Sequence, residues 1–489
     1  RIAETPSISE WLASEFKGCE DVHIGIDGWV CTNTYATELI WTLKDMGDFY
    51  VHTDFDPLEV IWKDRPSIPK NKIEIQPLKF AGETVASKLE RIRKAIAKQQ
   101  ADGILVSALD EIAWTLNLRG NDVHCNPVFV AYLLIKTTKA TLFIDSEKLT
   151  TEVKNYLEKE NITIKDYNEL LSALQTYNGK ALLINSNEMS HKVYNTINSE
   201  RAVTGTSPIP EMKAVKNETE IEGFKHAMVR DGIAMVKFLR WLKPAVKAGK
   251  ETEISLEKKL TSLRAEQDLF RGISFDTIVG YEEHGAIVHY EATPQTDIPV
   301  KPHGFVLIDS GAQYQDGTTD ITRTIALGDI TEEQRHIYTL VLKGHIQLAL
   351  CKFPNAACGS QIDAFARQAM WREGYNFMHG TGHGVGSFLN VHEGPHQIRM
   401  EWRPLYKGMT VTDEPGIYLT GKFGVRIENT LYIKPYMETD FGKFLQFESL
   451  TLAPIDTTPI DFNMLSTEEI EWLNQYHATV FEKLAPYLN

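Results

Sequence analysis

The sequence predicts an α/β region followed by a strand-rich α+β region that carries the chemistry. Three observations predict it. From about residue 63, short apolar strands alternate with helical stretches. From about 270 to 455, strands dominate. Between the two lies a turn-rich loop, TGTSPIPEMKAVKN at 204–217, and then a long amphipathic helix.

The elements follow in order. Residues 1 to about 62 open with WLASEF and a strand-like VHIGID, too little chain for a complete α/β domain. KLERIRKAIAKQQ reads as a helix, and GILVSA, ATLFID and KALLIN read as strands. Asn217 or Thr219 can cap the long helix, with acids in its first turn. Ile221, Phe224, Met228, Met235, Leu239 and Leu242 share one face of it, which marks a core stripe. Two helices, at 332–351 and 360–374, interrupt the strand-rich region. A last helix starts at Ser466, where Ser466 and Glu469 form a capping box, and Leu473, Tyr476, Val480 and Leu484 make its stripe. That helix could close the domain or meet a second subunit. The boundaries drawn are 1–62, 63–213 and 214–489.

Composition narrows the function. Apolar residues make up 43% of the 489 and charged residues 24%, enough to fill large cores. A net charge of −15 argues against a nucleic-acid partner, which needs a basic face. The longest apolar runs, such as VFVAYLLI at 128–135, are too short to span a bilayer, and no signal-peptide pattern opens the sequence. The five cysteines (Cys19, Cys31, Cys125, Cys351, Cys358) lack metal-ligand spacing and read as reduced thiols used as small hydrophobes in a cytoplasm. The chain opens on Arg1, which suggests a fragment or a processed form.

The chemistry lies in IDSGAQYQDGTTDITRT at 308–324. Asp309 ends an apolar run and Asp320 opens an alternating one. Asp316-Gly317 is a turn dipeptide. A reversal there makes the two runs antiparallel neighbours and sets Asp309 against Asp320 on one face. Two bare carboxylates that close repel, and a cation between them removes the conflict. The device recurs in TDEPGIYLTGKFGVRIENTLYI, where a turn centred on Gly421 sets Glu414 opposite Glu428.

Between the hairpins lies HGTGHGVGSFLNVHEGP, with His379, His383 and His392. Its glycines do not complete a phosphate-binding pattern, and small residues there suit close backbone approach to a crowded site. Four carboxylates carry −4, which two divalent cations balance. A carboxylate-rich set with one imidazole suits Mn²⁺, or Co²⁺ in the test tube, better than a structural zinc site.

These segments resemble the pita-bread metallopeptidases, specifically the long cytosolic Xaa-Pro aminopeptidases (aminopeptidase P). DEIAWTLNLRG with NPVF at 110–129, AIVHY at 286–290 and WLNQYH near the end are also similar to that family, and the likeness runs over essentially the whole chain. It implies creatinase-like α/β domains before a pita-bread domain with a curved antiparallel sheet, the stretch 1–62 being a remnant of the first. It implies five ligands for two divalent ions: Asp309, Asp320, His383, Glu414 and Glu428. By the family pattern Asp320 and Glu428 bridge, Asp309 completes one shell, and His383 and Glu414 the other. Mn²⁺ comes first, with Zn²⁺ or Co²⁺ possible.

His289 and His392 match the family's substrate-binding histidines, and His379 and Arg426 match positions beside the cluster. Arg426 could hold a cluster carboxylate rather than touch substrate. A substrate-contacting arginine of the family's preceding segment has no assigned position here. The implied reaction removes the N-terminal residue from peptides with proline second, through a hydroxide shared by two metals. Glu414 is the candidate general base, and His392 the oxyanion donor with His289 nearby. A cytoplasmic homodimer is expected, with no membrane or nucleic-acid partner. The alternatives are a prolidase acting on Xaa-Pro dipeptides and a non-catalytic pita-bread binding module.

Overall fold

The computed structural model describes residues 5–488. The chain forms two compact units. One takes in the chain as far as Ile75, with Thr84–Asp122 and Phe129–Ile209; the other takes in Gln76–Glu83, Val123–Val128 and the chain from Pro210 onward.

The first unit is α/β. Its six-stranded sheet runs in the order Ala202–Thr204, Leu182–Ile184, Gly103–Val106, Tyr132–Lys136, Ala140–Phe143 and Ile162–Lys165. The sheet is mixed, because Gly103–Val106 and Tyr132–Lys136 pair antiparallel, as do Tyr132–Lys136 and Ala140–Phe143, while its other pairings are parallel. All four residues of Gly103–Val106 are buried, as a strand covered on both faces requires. Helix Val85–Lys98 starts where Thr84 accepts from the Ser87 N–H, and it buries Val85, Leu89, Ile92 and Ile96. Strands Val22–Gly25 and Phe49–His52 make a separate parallel pair flanked by helix Asn33–Met46. Asn33 ties that segment to the rest of the unit: its N–H donates to Met189 O at 2.8 Å and its amide to Ser186 Oγ at 2.8 Å.

The second unit is α+β, and its sheets are antiparallel. Helix Glu218–Lys247 begins at Asn217, whose side chain and that of Glu220 form a capping box. Ile221, Phe224, Met228, Met235 and Leu242 are buried along it, and Leu239 is partly buried. Gly223 on this helix lies so close to Asp316 that a Cβ would come within 2.2 Å of the Asp316 carbonyl. The helix backbone is thus the bed on which the 315–316 turn rests.

Strands Ile278–Tyr281, Phe305–Ser310 and Ile321–Ala326 form one antiparallel sheet. A second sheet has the order Lys352–Pro354, Gly442–Ser449, Asn429–Thr439, Thr410–Asp413, Gly382–Gly384 and Glu393–Ile398. Helices Glu332–Ala349 and Gly359–Trp371 pack together, and the last helix, Thr467–Leu484, closes this domain. Its Leu473, Tyr476, Val480 and Leu484 join a core with Ile337, Val341 and Ile427. Each such aliphatic burial contributes about 2 kcal/mol. The Tyr476 hydroxyl donates to Ala453 O at 2.7 Å and accepts from buried Arg323 at 2.9 Å.

The cysteines divide by burial. Cys351 and Cys358 are buried, as small hydrophobes would be, but Cys19 is exposed and Cys31 and Cys125 are half-buried. No helix among the described residues is long and apolar enough to cross a membrane.

Candidate metal centre

The first hairpin is built from two ladders. Phe305–Ser310 pairs with Ile321–Ala326, and inside it Ala312–Tyr314 pairs with Gly317–Thr318. The register sets Asp309 opposite Thr322, whereas a two-residue turn on Asp316-Gly317 would set it opposite Thr324. The reversal falls on Gln315-Asp316, one residue earlier. Two groups fix it there. The Asp316 carboxylate is held by both terminal nitrogens of Arg230, at 2.9 and 2.6 Å. Gly317 presses on the long helix, where a Cβ would sit 3.1 Å from Phe224 Cα. The pairing slips by two positions, and a slip of two keeps every side chain on its face. Asp309 and Asp320 therefore remain on one side, as diagonal neighbours.

The second hairpin keeps one register throughout. Thr410–Asp413 pairs with Asn429–Thr439, and Gly416–Leu419 with Phe423–Arg426, around Gly421 in a left-handed conformation (φ +74°). Asp413 faces Asn429 and Gly416 faces Arg426, so Glu414 and Glu428 stand opposite each other where the two ladders join.

The hairpins lock together through residues next to the acids. Glu428 N–H donates to Thr322 O at 3.1 Å. Arg323 donates to Glu428 O at 2.6 Å. Thr322 Oγ1 donates to Glu428 Oε2 at 2.7 Å, and Arg426 Nε donates to Thr322 Oγ1 at 3.2 Å. Arg426 also donates to Asp309 Oδ2 at 2.7 Å and to the Tyr418 hydroxyl at 2.8 Å. Arg426 is 2% exposed and holds a carboxylate of the cluster.

His383 comes from Gly382–Gly384, which runs beside Thr410–Asp413 and so faces Glu414. A Cβ on Gly382 would meet Thr412 O at 1.9 Å, so only glycine permits this approach. His383 Nδ1 lies 2.9 Å from Gly384 O as donor, which turns Nε2 toward the acids. Nε2 lies 3.4 Å from Asp320 Oδ2 and 3.4 Å from Glu414 Oε1. Two donors each about 2.1 Å from one ion at a tetrahedral angle lie about 3.4 Å apart. Donor atoms of Asp320, His383 and Glu428 all fall within 4.8 Å of one another.

The electrostatics fit cations too. Burial raises Glu428 well above the usual carboxylate range, and Asp320, Glu414 and Asp309 push the same way. Burial raises Asp309 against the opposing charge of Arg426. Burial pushes Glu414 up to about 7. Burial alone would lower His383, but its contacts with Asp320 and Glu414 outweigh that and push it up to about 9. Four acids beside one arginine cannot all ionise in a buried site unless cations share it. Asp309 Oδ1 is buried with no hydrogen-bond partner among the described residues, a lone pair left for a ligand. The donor set therefore fits two hard or borderline divalent ions.

A cleft of about 740 Å³ is lined by Asp309, Asp320, His383, Glu414 and Glu428, and also by His289, His379, His392 and Arg426. Burial lowers His392 to about 4, and the neighbouring His383, its ring 4.1 Å away, adds to this. Burial lowers His379 to about 4 as well. Both of its ring nitrogens are taken, Nδ1 by Gly380 O at 2.7 Å and Nε2 by the Tyr418 hydroxyl at 2.9 Å. A cavity of similar size, about 760 Å³, lies in the first unit among Arg93, Lys139, Lys154, Glu158 and Glu160. Among the described residues no His/Cys/Asp/Glu set with metal-ligand spacing lies in it, so size alone does not mark a site.

Sequence reasoning passed over the residues that hold the acids and histidines. Thr412 donates to Glu414 Oε1 at 3.0 Å and accepts from His383 N–H at 3.1 Å. Arg367 donates to the carbonyls of Phe377 and His379 at 2.6 and 2.9 Å and so fixes the histidine loop. Thr322, Thr324 and Thr412 lie at alternating positions beside the acids, and that polar alternation in otherwise buried strands was the available signal.

Three comparisons bear on this site. The chain matches models of the creatinase/prolidase N-terminal domain over residues 64–220, metallopeptidase family M24 over 222–435, and the C-terminal region of peptidase M24 over 443–489. It is 37% identical to aminopeptidase P1 of Lotus japonicus over 100% of this chain and 84% of that protein. It is 40% identical to Xaa-Pro aminopeptidase 1 of Dictyostelium discoideum over 100% of this chain and 80% of that one. Its fold matches a crystal structure of an X-prolyl aminopeptidase from Caenorhabditis elegans, described as a cytosolic enzyme with a di-nuclear active site. The TM-score is 0.93 and the identity 34%, covering 99% of this chain and 80% of that one.

Proposed function

We propose a reaction from one premise: the chain belongs to metallopeptidase family M24. It is a hydrolase that removes the first residue of peptides whose second residue is proline, the activity carried in the names of its slime-mould relative and its nematode structural neighbour. The observation that carries this reading is the gathering of Asp309, Asp320, His383, Glu414 and Glu428 along one cleft walled by histidines, with His383 3.4 Å from both Asp320 and Glu414.

Asp320 and Glu428 would bridge two divalent ions, Asp309 would complete one shell, and His383 and Glu414 the other. Mn²⁺ suits this oxygen-rich set best, with Co²⁺ or Zn²⁺ also able to fill it. When bound, the ions supply a water that ionises near neutral pH and a counter-charge for the scissile carbonyl.

The chain's own groups do the rest. Glu414 takes a proton from the attacking water and returns it to the leaving nitrogen. His392 stays neutral at pH 7, and its ring N–H donates to the carbonyl oxygen as charge develops there. His289 lines the cleft beside it and holds the peptide. His379 has no free nitrogen and offers its ring to the substrate's proline. A prolyl nitrogen carries no hydrogen, so a site that uses ring contacts instead of that N–H accepts it. The acidic cluster draws the substrate's free α-amine, which confines cleavage to the first bond.

We read the chain as a cytoplasmic homodimer, with residues 1–62 and 63–213 creatinase-like and 214–489 the catalytic pita-bread domain; sedimentation tests the dimer. The test of function is hydrolysis of Xaa-Pro-Xaa tripeptides and Xaa-Pro dipeptides with and without Mn²⁺. Metal-dependent tripeptide cleavage is expected. Cleavage of dipeptides alone would make the chain a prolidase, and bound metal without turnover would make it a binding module.

A further inference from the structure

Outside the five-residue centre, one other set of metal-binding side chains is gathered among the described residues. His124, Cys125 and Asp276 bring a ring nitrogen, a thiol and a carboxylate oxygen within 4.8 Å of one another. His124 Nε2 already lies 2.8 Å from Asp276 Oδ1. Asp276 also lines the catalytic cleft, next to Phe275, so the trio sits on the cleft rim.

Two backbone constraints bring these residues together across the intervening sequence. The loop closes on itself where Val123 bridges to Asn126, and Cys125 takes a left-handed conformation (φ +62°) that a cysteine rarely adopts. Gln313 in the first hairpin pins that loop, its side-chain amide donating to Cys125 O at 3.2 Å. Asp276 lies two residues before Ile278, which pairs with Asp309. Both halves of the trio are thus anchored to the hairpin that carries the first two acids. Local ligand spacing could not show this, because the partners are more than a hundred residues apart in sequence.

The donor chemistry differs from that of the main centre. One thiolate, one imidazole and one carboxylate form the three-ligand, borderline-soft set that zinc favours, with a fourth position open to water. The main centre has no sulfur. We propose that His124, Cys125 and Asp276 form a zinc site at the rim of the cleft, separate from the catalytic ions. Binding releases the thiol proton and replaces the His124–Asp276 hydrogen bond with ligand bonds. Zinc there puts a cation on the wall beside the entering peptide, so occupancy raises KM; this kinetic consequence alone rests on the aminopeptidase reading.

The test uses cobalt as a probe in the Mn²⁺-loaded full chain. A thiolate-to-cobalt charge-transfer band should appear, saturate at one cobalt per chain, and vanish when Zn²⁺ is added. A carboxylate–imidazole centre cannot give that band, so it reports the rim site whatever the enzyme's activity. Cys125→Ser should lose the band yet keep its Mn²⁺-dependent rate, and zinc should no longer raise its KM. His124→Asn, at a largely exposed side chain, serves as a second variant and should weaken cobalt binding by about tenfold or more. No band in the native chain, or the same band in Cys125→Ser, would overturn the site. A band without any zinc effect on KM would overturn only the kinetic consequence.

Discussion

The two hairpins that supply the four acids share a plan and differ in how they carry it out. Each has an outer ladder, a join, and a shorter inner ladder. In the second hairpin both acids sit at the join and face each other. In the first, Asp309 stays in the outer ladder opposite Thr322, and only Asp320 lies at the join. The difference leaves the Asp320 and Glu428 donors together with His383, while Asp309 stands aside under Arg426. The cluster therefore has a histidine end, an arginine end and a shared middle.

The largest expected effect comes from breaking the middle. Glu428→Ala should remove both ions and lower kcat/KM by about a thousandfold or more, with the fold retained. Elemental analysis and a tripeptide rate assay check this together, and a variant that keeps two ions would refute the shared middle. Breaking one end should do less. Asp309→Asn and His383→Ala should each retain about one ion per chain, and loss of both in either variant would erase the distinction between ends.

His392→Ala sharpens the comparison from the substrate side. The His392 ring lies against that of His383, 4.1 Å away. The variant should keep both ions and lose about 100-fold in kcat, the scale of one oxyanion donor. A metal content that falls with the rate would make His392 a prop for the histidine end instead.

The hairpin comparison also shows what sequence could and could not say. Helix caps at Asn217 and Ser466 and their buried stripes were legible, because they depend on local spacing. The second hairpin was legible to the residue, because Gly421 is a turn signal with no competing tertiary contact; a Cβ there would meet nothing within 4 Å. The first was read two positions out of register. Its turn is chosen by Arg230 and by the helix under Gly317, groups distant in sequence that no dipeptide reports. The acids still fell on the right face, since sheet parity survives a shift of two. The threonine braces, Arg323 and Arg367 act through tertiary hydrogen bonds to backbone and left only a faint alternating trace. The trio at His124, Cys125 and Asp276 left none.

The turns yield the smaller, purely structural tests. Arg230→Ala leaves the Asp316 carboxylate, 3% exposed, buried without its bidentate partner, and should cost about 3 kcal/mol. Because this pair sets the register, the variant should also weaken metal binding measurably. Gly421→Ala should cost only about 1 kcal/mol, the penalty of a side chain at positive φ where there is space for one. Its register is held by ladders on both sides of Glu414 and Glu428, so metal content and kcat should not change. Denaturation midpoints and bound metal measured on both variants separate the two cases. If Gly421→Ala lost metal while Arg230→Ala kept it, tertiary anchoring would belong to the second hairpin and local turn preference to the first, the reverse of the contrast drawn from the structure.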